Sequence, residues 1–263
     1  MDIIGAIIII LDRNLQVLGY WNAFDHDCLD STCLDINRPG VGGETCTTNS
    51  KGGTISGCPP ILLSSPANDW LHANSLQYLT PDGDLLLSLR DQNWVAKIDY
   101  NNGAGTNGIL WRLGVDGDFQ ILNSGGNQYP WFSTQHDAGF VGSVEQTLTV
   151  FDNGVTRHSY YGGNSRGQVY TIDQTHMTAT LQLNVDLGVY SPSLGSAQLL
   201  MNGDYMFQPG NISAGSTTEV QSTEVTTGAS IVYQFQSLGS TSYRGWRLTD
   251  FYHAPLNGSA GPQ

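Results

Sequence analysis

Three short segments hold residues suited to chemistry. Asp69-Trp70-Leu71-His72-Ala73-Asn74-Ser75 carries a histidine among an aspartate, a tryptophan and an asparagine. Ser88-Leu89-Arg90-Asp91-Gln92 carries an arginine, and Thr134-Gln135-His136-Asp137-Ala138 a second histidine. An arginine offers a planar fork for two oxyanion contacts. A histidine serves as nucleophile, general acid or general base near neutral pH. Two histidines and one arginine brought together suit an anionic substrate. His136, His72 and Arg90 are therefore the catalytic candidates. His26, Trp70 and Asn74 are candidate substrate-binding residues. The chain shows no Ser-His-Asp order, no His-rich metal triad at helical spacing and no Gly-rich phosphate loop opening a helix. No metal site is expected. His158, His176 and His253 fall in loops or near the end of the chain and are expected at the surface. Trp94, Trp111 and Tyr170 fall on strands and are expected to pack between sheets.

Short strand-like runs must position these residues. Ser75–Thr80, Asp84–Leu89, Trp94–Asp99 and Ile109–Leu113 follow one another, separated by turns such as Pro81-Asp82-Gly83 and Asn101-Asn102-Gly103. A second set runs Ala138–Val141, Gln146–Phe151, Gln168–Asp173 and Ala179–Val185. A third runs Ala197–Met201, Asp204–Gln208, Glu219–Thr226 and Ser230–Phe235. The Gly83-Asp84 turn returns as Gly203-Asp204. Four-stranded units at this period predict an all-β fold, a β-propeller of four-stranded blades. Ile7–Asp12 and Gln16–Trp21 read as the last two strands of an earlier blade, and Tyr243–Phe251 as the first strand of a later one. About four blades' worth of sequence is present. Residues 1–263 are thus expected to form one propeller domain, incomplete at its N-terminus. In such a ring the loops entering the innermost strands converge on the central channel. His72 and His136 are expected at equivalent places there, with Arg90 beside them.

Composition agrees and excludes other classes. The chain has 263 residues, a formal charge of −13 and a charged fraction of only 13%. Two Lys and four Glu against 32 Gly leave few helix formers. Phosphate binding needs clustered Lys and Arg, which are missing, so nucleic acid and anionic membrane surfaces are not expected partners. The apolar run Ile3–Leu11 has no basic region before it and no small-residue cleavage site, and reads as a buried strand.

Cys28, Cys33, Cys46 and Cys58 all lie within residues 28–68, a loop insertion rich in Gly, Thr, Ser and Pro. Their spacing is not that of paired zinc knuckles. Two local disulfides are expected, with three possible pairings. That predicts a secreted or extracellular protein, periplasmic if bacterial. Sequons at Asn211 and Asn257 fit a glycoprotein.

Taken together, these segments resemble the arylsulfotransferase family, sulfotransferases that do not use the nucleotide donor PAPS. The resemblance rests on Asp69–Ser75, Ser88–Arg90, Lys97–Asp99, Trp111–Gly114 and Gln135–Ala138. It continues in Gly195–Gln198, Asn202–Asp204 and Tyr243–Tyr252, and the Trp21–Asp27 segment is similar to a Trp-x-x-x-Asp-His segment of one branch. It implies a six-bladed propeller, of which this chain matches the C-terminal two-thirds. It also implies ping-pong transfer of a sulfuryl group from an aryl sulfate to a phenol, with no cofactor. His136 matches the nucleophile that becomes sulfated. His72 matches a histidine that stabilises charge or shuttles the proton, and Arg90 the arginine that holds sulfate oxygens. Two positions depart from the bacterial pattern: Asp91 follows the arginine where a histidine is usual, and Asp137 follows His136 in place of threonine. Besides a transferase, two other readings stand: a non-catalytic propeller binding a small anion, glycan or protein partner, and a chain that self-associates through open sheet edges.

Overall fold

The computed structural model describes residues 2–26, 34, 45–46, 67–142 and 144–250. The fold is all-β. In chain order come β1 (Asp2–Ile4), β2 (Ile7–Leu11), β3 (Val17–Asn22), β4 (Thr45–Cys46) and β5 (Ala67–Asp69). Next come β6 (Ala73–Tyr78), β7 (Leu85–Leu89), β8 (Trp94–Ile98), β9 (Ile109–Gly114) and β10 (Gln120–Leu122). Then follow β11 (His136–Val141), β12 (Thr147–Asp152), helix α1 (Val155–Tyr161), β13 (Arg166–Asp173) and β14 (Thr178–Asp186). The last are β15 (Gly195–Leu199), β16 (Tyr205–Pro209), β17 (Ile212–Ala214), β18 (Thr217–Val225) and β19 (Ile231–Leu238).

Strands β6 to β9 form a four-stranded antiparallel meander. Its two middle strands are buried at every position. That is why they read as continuous apolar runs, LLLSL and WVAKI, rather than as alternation. One face packs on β2–β3 through Ile8, Trp21, Leu87, Leu89 and Trp94. The other packs on the β10–β14 sheet through Leu86, Val95, Trp111, Phe140 and Tyr170. That sheet in turn packs on β15–β19 through Phe151, Val169, Leu183 and Phe207. Trp94, Trp111 and Tyr170 are thus packing residues, at 2%, 4% and 0% exposure.

The first strands of successive sheets run side by side in the same direction. Ser75 Oγ donates to the Ala138 carbonyl, and Gln77 both donates to and accepts from the Phe140 backbone. The same device recurs one sheet later. Ser196 Oγ donates to the Gly245 carbonyl, and Gln198 exchanges hydrogen bonds with the Arg247 backbone. Residues 245–247 therefore lie along β15, but the strand expected over Tyr243–Phe251 is not formed among the described residues 243–250.

Other expectations need correction. The second and third sheets have five strands, not four. β10 adds in parallel to the β14 edge, and β17 makes a short hairpin with β18. The 28–68 insertion is not free of strands: β4 and β5 pair with each other, and β5 pairs in parallel with β1. Helix α1, flanked by Gly154 and Gly162, interrupts an otherwise all-β pattern. Gly83 has φ +78° and sits against Asn102, where a Cβ would collide. Only glycine serves that Gly-Asp turn. Cys28, Cys33 and Cys58, like Asn257 and His253, lie outside the described residues, and of Cys46 only the backbone is described. Among the described residues no helix is long and apolar enough to cross a membrane.

Candidate active site

The catalytic candidates His72, Arg90 and His136 meet at the end where β6 and β11 begin. Arg90 follows β7 directly, in a short 3₁₀ turn closed by Asn93 in the left-handed conformation. Its backbone N–H donates to the His72 carbonyl, and that of Asp91 to the Leu71 carbonyl. The turn is thereby laid against the entry to β6. Asn93 then bridges to the next sheet: its Oδ1 accepts from the Thr134 N–H at 2.6 Å. Gln135 Nε2 reaches back to Ser88 Oγ and to the carbonyls of Leu89 and Trp94. Asn74 Nδ2 donates to the Gln135 carbonyl at 2.7 Å.

Besides Asn93 at 55°, three non-glycine residues of these segments hold positive φ: His72 at 47°, Thr134 at 50° and Asp137 at 50°. Such conformations cost about 1–3 kcal/mol each and persist only where surrounding bonds over-determine them. Here they do. The His72 N–H donates to Asp69 Oδ1, Thr134 is held by Asn93, and Asp137 accepts from the Ala197 N–H and from Arg244 Nη1, each at 3.1 Å.

His136 is 2% exposed. Its Nδ1 lies 2.7 Å from Asn153 Oδ1. Asn153 Nδ2 donates to the carbonyls of Ser191 and Leu194 at 2.8 and 2.9 Å. Both amide hydrogens are thus committed, so the amide oxygen faces the ring and Nδ1 bears the proton. Nε2 keeps its lone pair. Burial, reinforced by the positive charges of Arg90 and His72 and opposed by the Asn153 bond, pushes the pKa down to about 3. His136 is a neutral imidazole through the physiological range.

His72 is the opposite case. Its Nδ1 lies 2.8 Å from Asp69 Oδ2. Burial pulls its pKa down and Arg90 adds to that. The hydrogen bond to Asp69 and the charges of Asp69 and Asp91 outweigh both, and the net shift is upward. Arg90 is 5% exposed, and its Nη1 pairs with Asp91 Oδ1 at 2.7 Å. Asp69, His72 and Asp91 offer ligand atoms within 4.8 Å of one another, a spacing that could hold a cation. The Arg90 guanidinium already brings positive charge to Asp91.

The sequence reading placed His72 and His136 at equivalent positions. The register shifts them by one residue: His136 is itself the first paired residue of β11, opposite Phe151, whereas in β6 that place belongs to Ala73, opposite Leu89. A bulge follows in each strand. His26 stacks on Trp21 at 5.1 Å and belongs with the β2–β3 packing. Trp70 is corrected from substrate binding to core. It is 1% exposed, stacks on Phe24, and its backbone N–H and carbonyl bond Ile4 and the Gln92 side chain. Trp70→Ala is expected to cost about 3–5 kcal/mol in urea unfolding, as truncation of a buried tryptophan does; a negligible loss would return Trp70 to the substrate surface. Asn74 is buried and ties three segments, since its carbonyl also accepts from Tyr243 Oη and Arg244 Nη2. His176 is exposed; His158 is half-buried, stacked 3.9 Å from Tyr190. The Asn211 sequon nitrogen donates to Ser193 Oγ, so a glycan there would have to break that bond.

Asn153 and Tyr243, whose ring stands edge-on to His136 at 6.1 Å, were not singled out from sequence as site residues. The register, not the sequence, gives Asn153 counterparts in the other sheets. Asp91 and Asn153 each stand two residues past the partner of their sheet's first paired residue, and so does Asn211.

Residues 1–247 match the family model described as Arylsulfotransferase (ASST). The chain belongs to the arylsulfotransferase family. No curated protein matches it. Family membership supports a sulfotransferase-like function in general, and within the arylsulfotransferase frame the buried neutral His136 beside a buried arginine becomes the point of interest.

Proposed function

We propose that this protein transfers a sulfuryl group from an aryl sulfate to a phenol through a sulfated His136. The observation that carries the reading is the Asn153 bond, which leaves His136 Nε2 as a neutral, desolvated nucleophile next to Arg90 and His72. Nε2 attacks sulfur as the S–O bond to the aryl oxygen breaks. Protonated His72 gives its Nε2 proton to the departing phenolate. In the second half the acceptor phenol returns a proton to His72, its oxygen attacks sulfur, and the N–S bond breaks. Sulfuryl transfer resembles phosphoryl transfer, in which positioning and cationic stabilisation of the equatorial oxygens supply most of the rate. Arg90 is suited to that task. The covalent intermediate splits one difficult step into two.

The side-by-side first strands and the serial face-to-face sheets support a propeller arrangement, with His136, His72 and Arg90 at the mouth of its channel. Confinement of the four cysteines to residues 28–58 supports an exported protein.

Brief incubation with 4-nitrophenyl sulfate without acceptor, followed by peptide mass spectrometry, tests the reading. One sulfuryl group is expected on the His136 peptide, with a matching burst of nitrophenol. Folded protein giving neither adduct nor burst overturns it and leaves an anion-binding module. The same digest without reductant is expected to show linked cysteine peptides; four free thiols would remove the export argument.

A further inference from the structure

Each of the two histidines hands its Nδ1 to a different kind of partner. His136 meets an amide oxygen, and His72 meets a carboxylate. We propose that Asn153 and Asp69 are positioning residues that assign the histidines opposite duties, His136 as neutral nucleophile and His72 as proton carrier. The proposal rests on the sulfuryl-transfer reading above and adds what makes the two rings different.

The chemistry follows from what each partner accepts. An amide oxygen is neutral. It holds the Nδ1 proton in place and points Nε2 outward, but gives little support to a second proton on the ring. A carboxylate supports the imidazolium directly, by hydrogen bond and by charge. The orientation of Asn153 is itself enforced, because its amide nitrogen is held by two backbone carbonyls. Once Nε2 is sulfated, the ring carries its Nδ1 proton and a positive charge. Asn153 accepts a hydrogen bond from that N–H without removing the charge, so the N–S bond remains easy to break. A carboxylate in its place would neutralise the ring and make the intermediate persist. Burial opposes protonation of both rings, more at His136, where a backbone bond to Thr134 works against it. Arg90 opposes protonation of each, and the charge of His72 opposes protonation of His136. Asp91 supports His72, and Tyr243 offers His136 only a ring edge. The Nδ1 partner is the difference that an isosteric exchange can reverse.

Isosteric exchange tests this. Imidazole nitrogens are followed by ¹⁵N NMR across pH in the resting wild type, N153D and D69N. The burst rate with 4-nitrophenyl sulfate is measured over the same range. The wild type is expected to show His136 protonated on Nδ1 alone. Its burst needs neutral His136 and protonated His72, so it falls at low pH through the former and at high pH through the latter. N153D is expected to raise the acid limb by about 1–3 pH units, the usual effect of a new adjacent charge, and to accumulate sulfated His136. D69N is expected to move the alkaline limb downward by a similar amount, leaving the acid limb in place. A wild-type His136 protonated on Nε2, or limbs that stay put in both variants, overturns the proposal. If the NMR shifts appear as stated while no protein gives a burst, the proton assignment stands and the transfer reading falls.

Discussion

Replacing His136 by alanine is expected to lower aryl-sulfate turnover by at least about 10³-fold, because covalent catalysis has no second route once its nucleophile is gone. The ring is 2% exposed and hydrogen-bonded to Asn153, so truncation also leaves that amide oxygen without its donor. An orphaned buried acceptor costs about 1–3 kcal/mol. Loss of activity with loss of stability would be ambiguous, and His136→Asn separates the two. Its amide nitrogen takes the place of Nδ1 and donates to Asn153, restoring stability, yet offers no basic lone pair to sulfur. The asparagine variant is therefore expected to unfold close to the wild-type midpoint and remain inactive, with no sulfated peptide. Either variant turning over at the wild-type rate sinks the nucleophile assignment.

The contrast between what the sequence shows and what it hides has a physical basis. Strands buried on both faces need apolar residues at nearly every position, so Leu85–Leu89 and Trp94–Ile98 stand out, and the Asp-Gly and Asn-Gly turns between strands mark their ends. Pairings that depend on distant chain segments leave no such trace. β1 and β5 are three residues each, lie more than sixty residues apart and pair in parallel without a linking turn. β10 has half-buried and exposed residues only and is held by the β14 edge. In the site, the histidines and the arginine are conspicuous because their chemistry is rare in this composition. Asn153 is not, because an Asn-Gly pair after a strand reads as ordinary turn chemistry. Its role appears only when Ser191 and Leu194 are seen to hold its amide nitrogen. Trp70 misleads for the reverse reason. It sits inside the motif, yet the chain turns its ring inward onto Phe24 while His72, two residues on and at positive φ, faces the site.

Arg90→Ala is expected to lower the burst rate by about 10²–10³-fold, the usual effect of deleting one oxyanion-stabilising group from a desolvated site. Stability should fall as well. Asp91 is 0% exposed and loses the guanidinium 2.7 Å away, and breaking one side of a buried pair costs about 3–5 kcal/mol. The question is whether Arg90 serves the substrate or only Asp91. A guanidinium has five N–H donors in a fixed fork, and one of them, on Nη1, goes to Asp91. The double variant Arg90→Ala/Asp91→Ala removes the pair together. It is expected to regain most of the lost stability, because no buried charge is stranded, and none of the lost rate, because the oxyanion clamp is still missing. Arg90→Lys keeps the charge but replaces the fork with a point donor, and should bind aryl sulfate better than the alanine variant while transferring poorly. These outcomes divide cleanly. If the double variant recovers rate along with stability, Arg90 exists to neutralise Asp91, and sulfate oxygens must find their cation elsewhere. If stability returns and rate does not, the guanidinium is held by Asp91 in order to be held for the substrate.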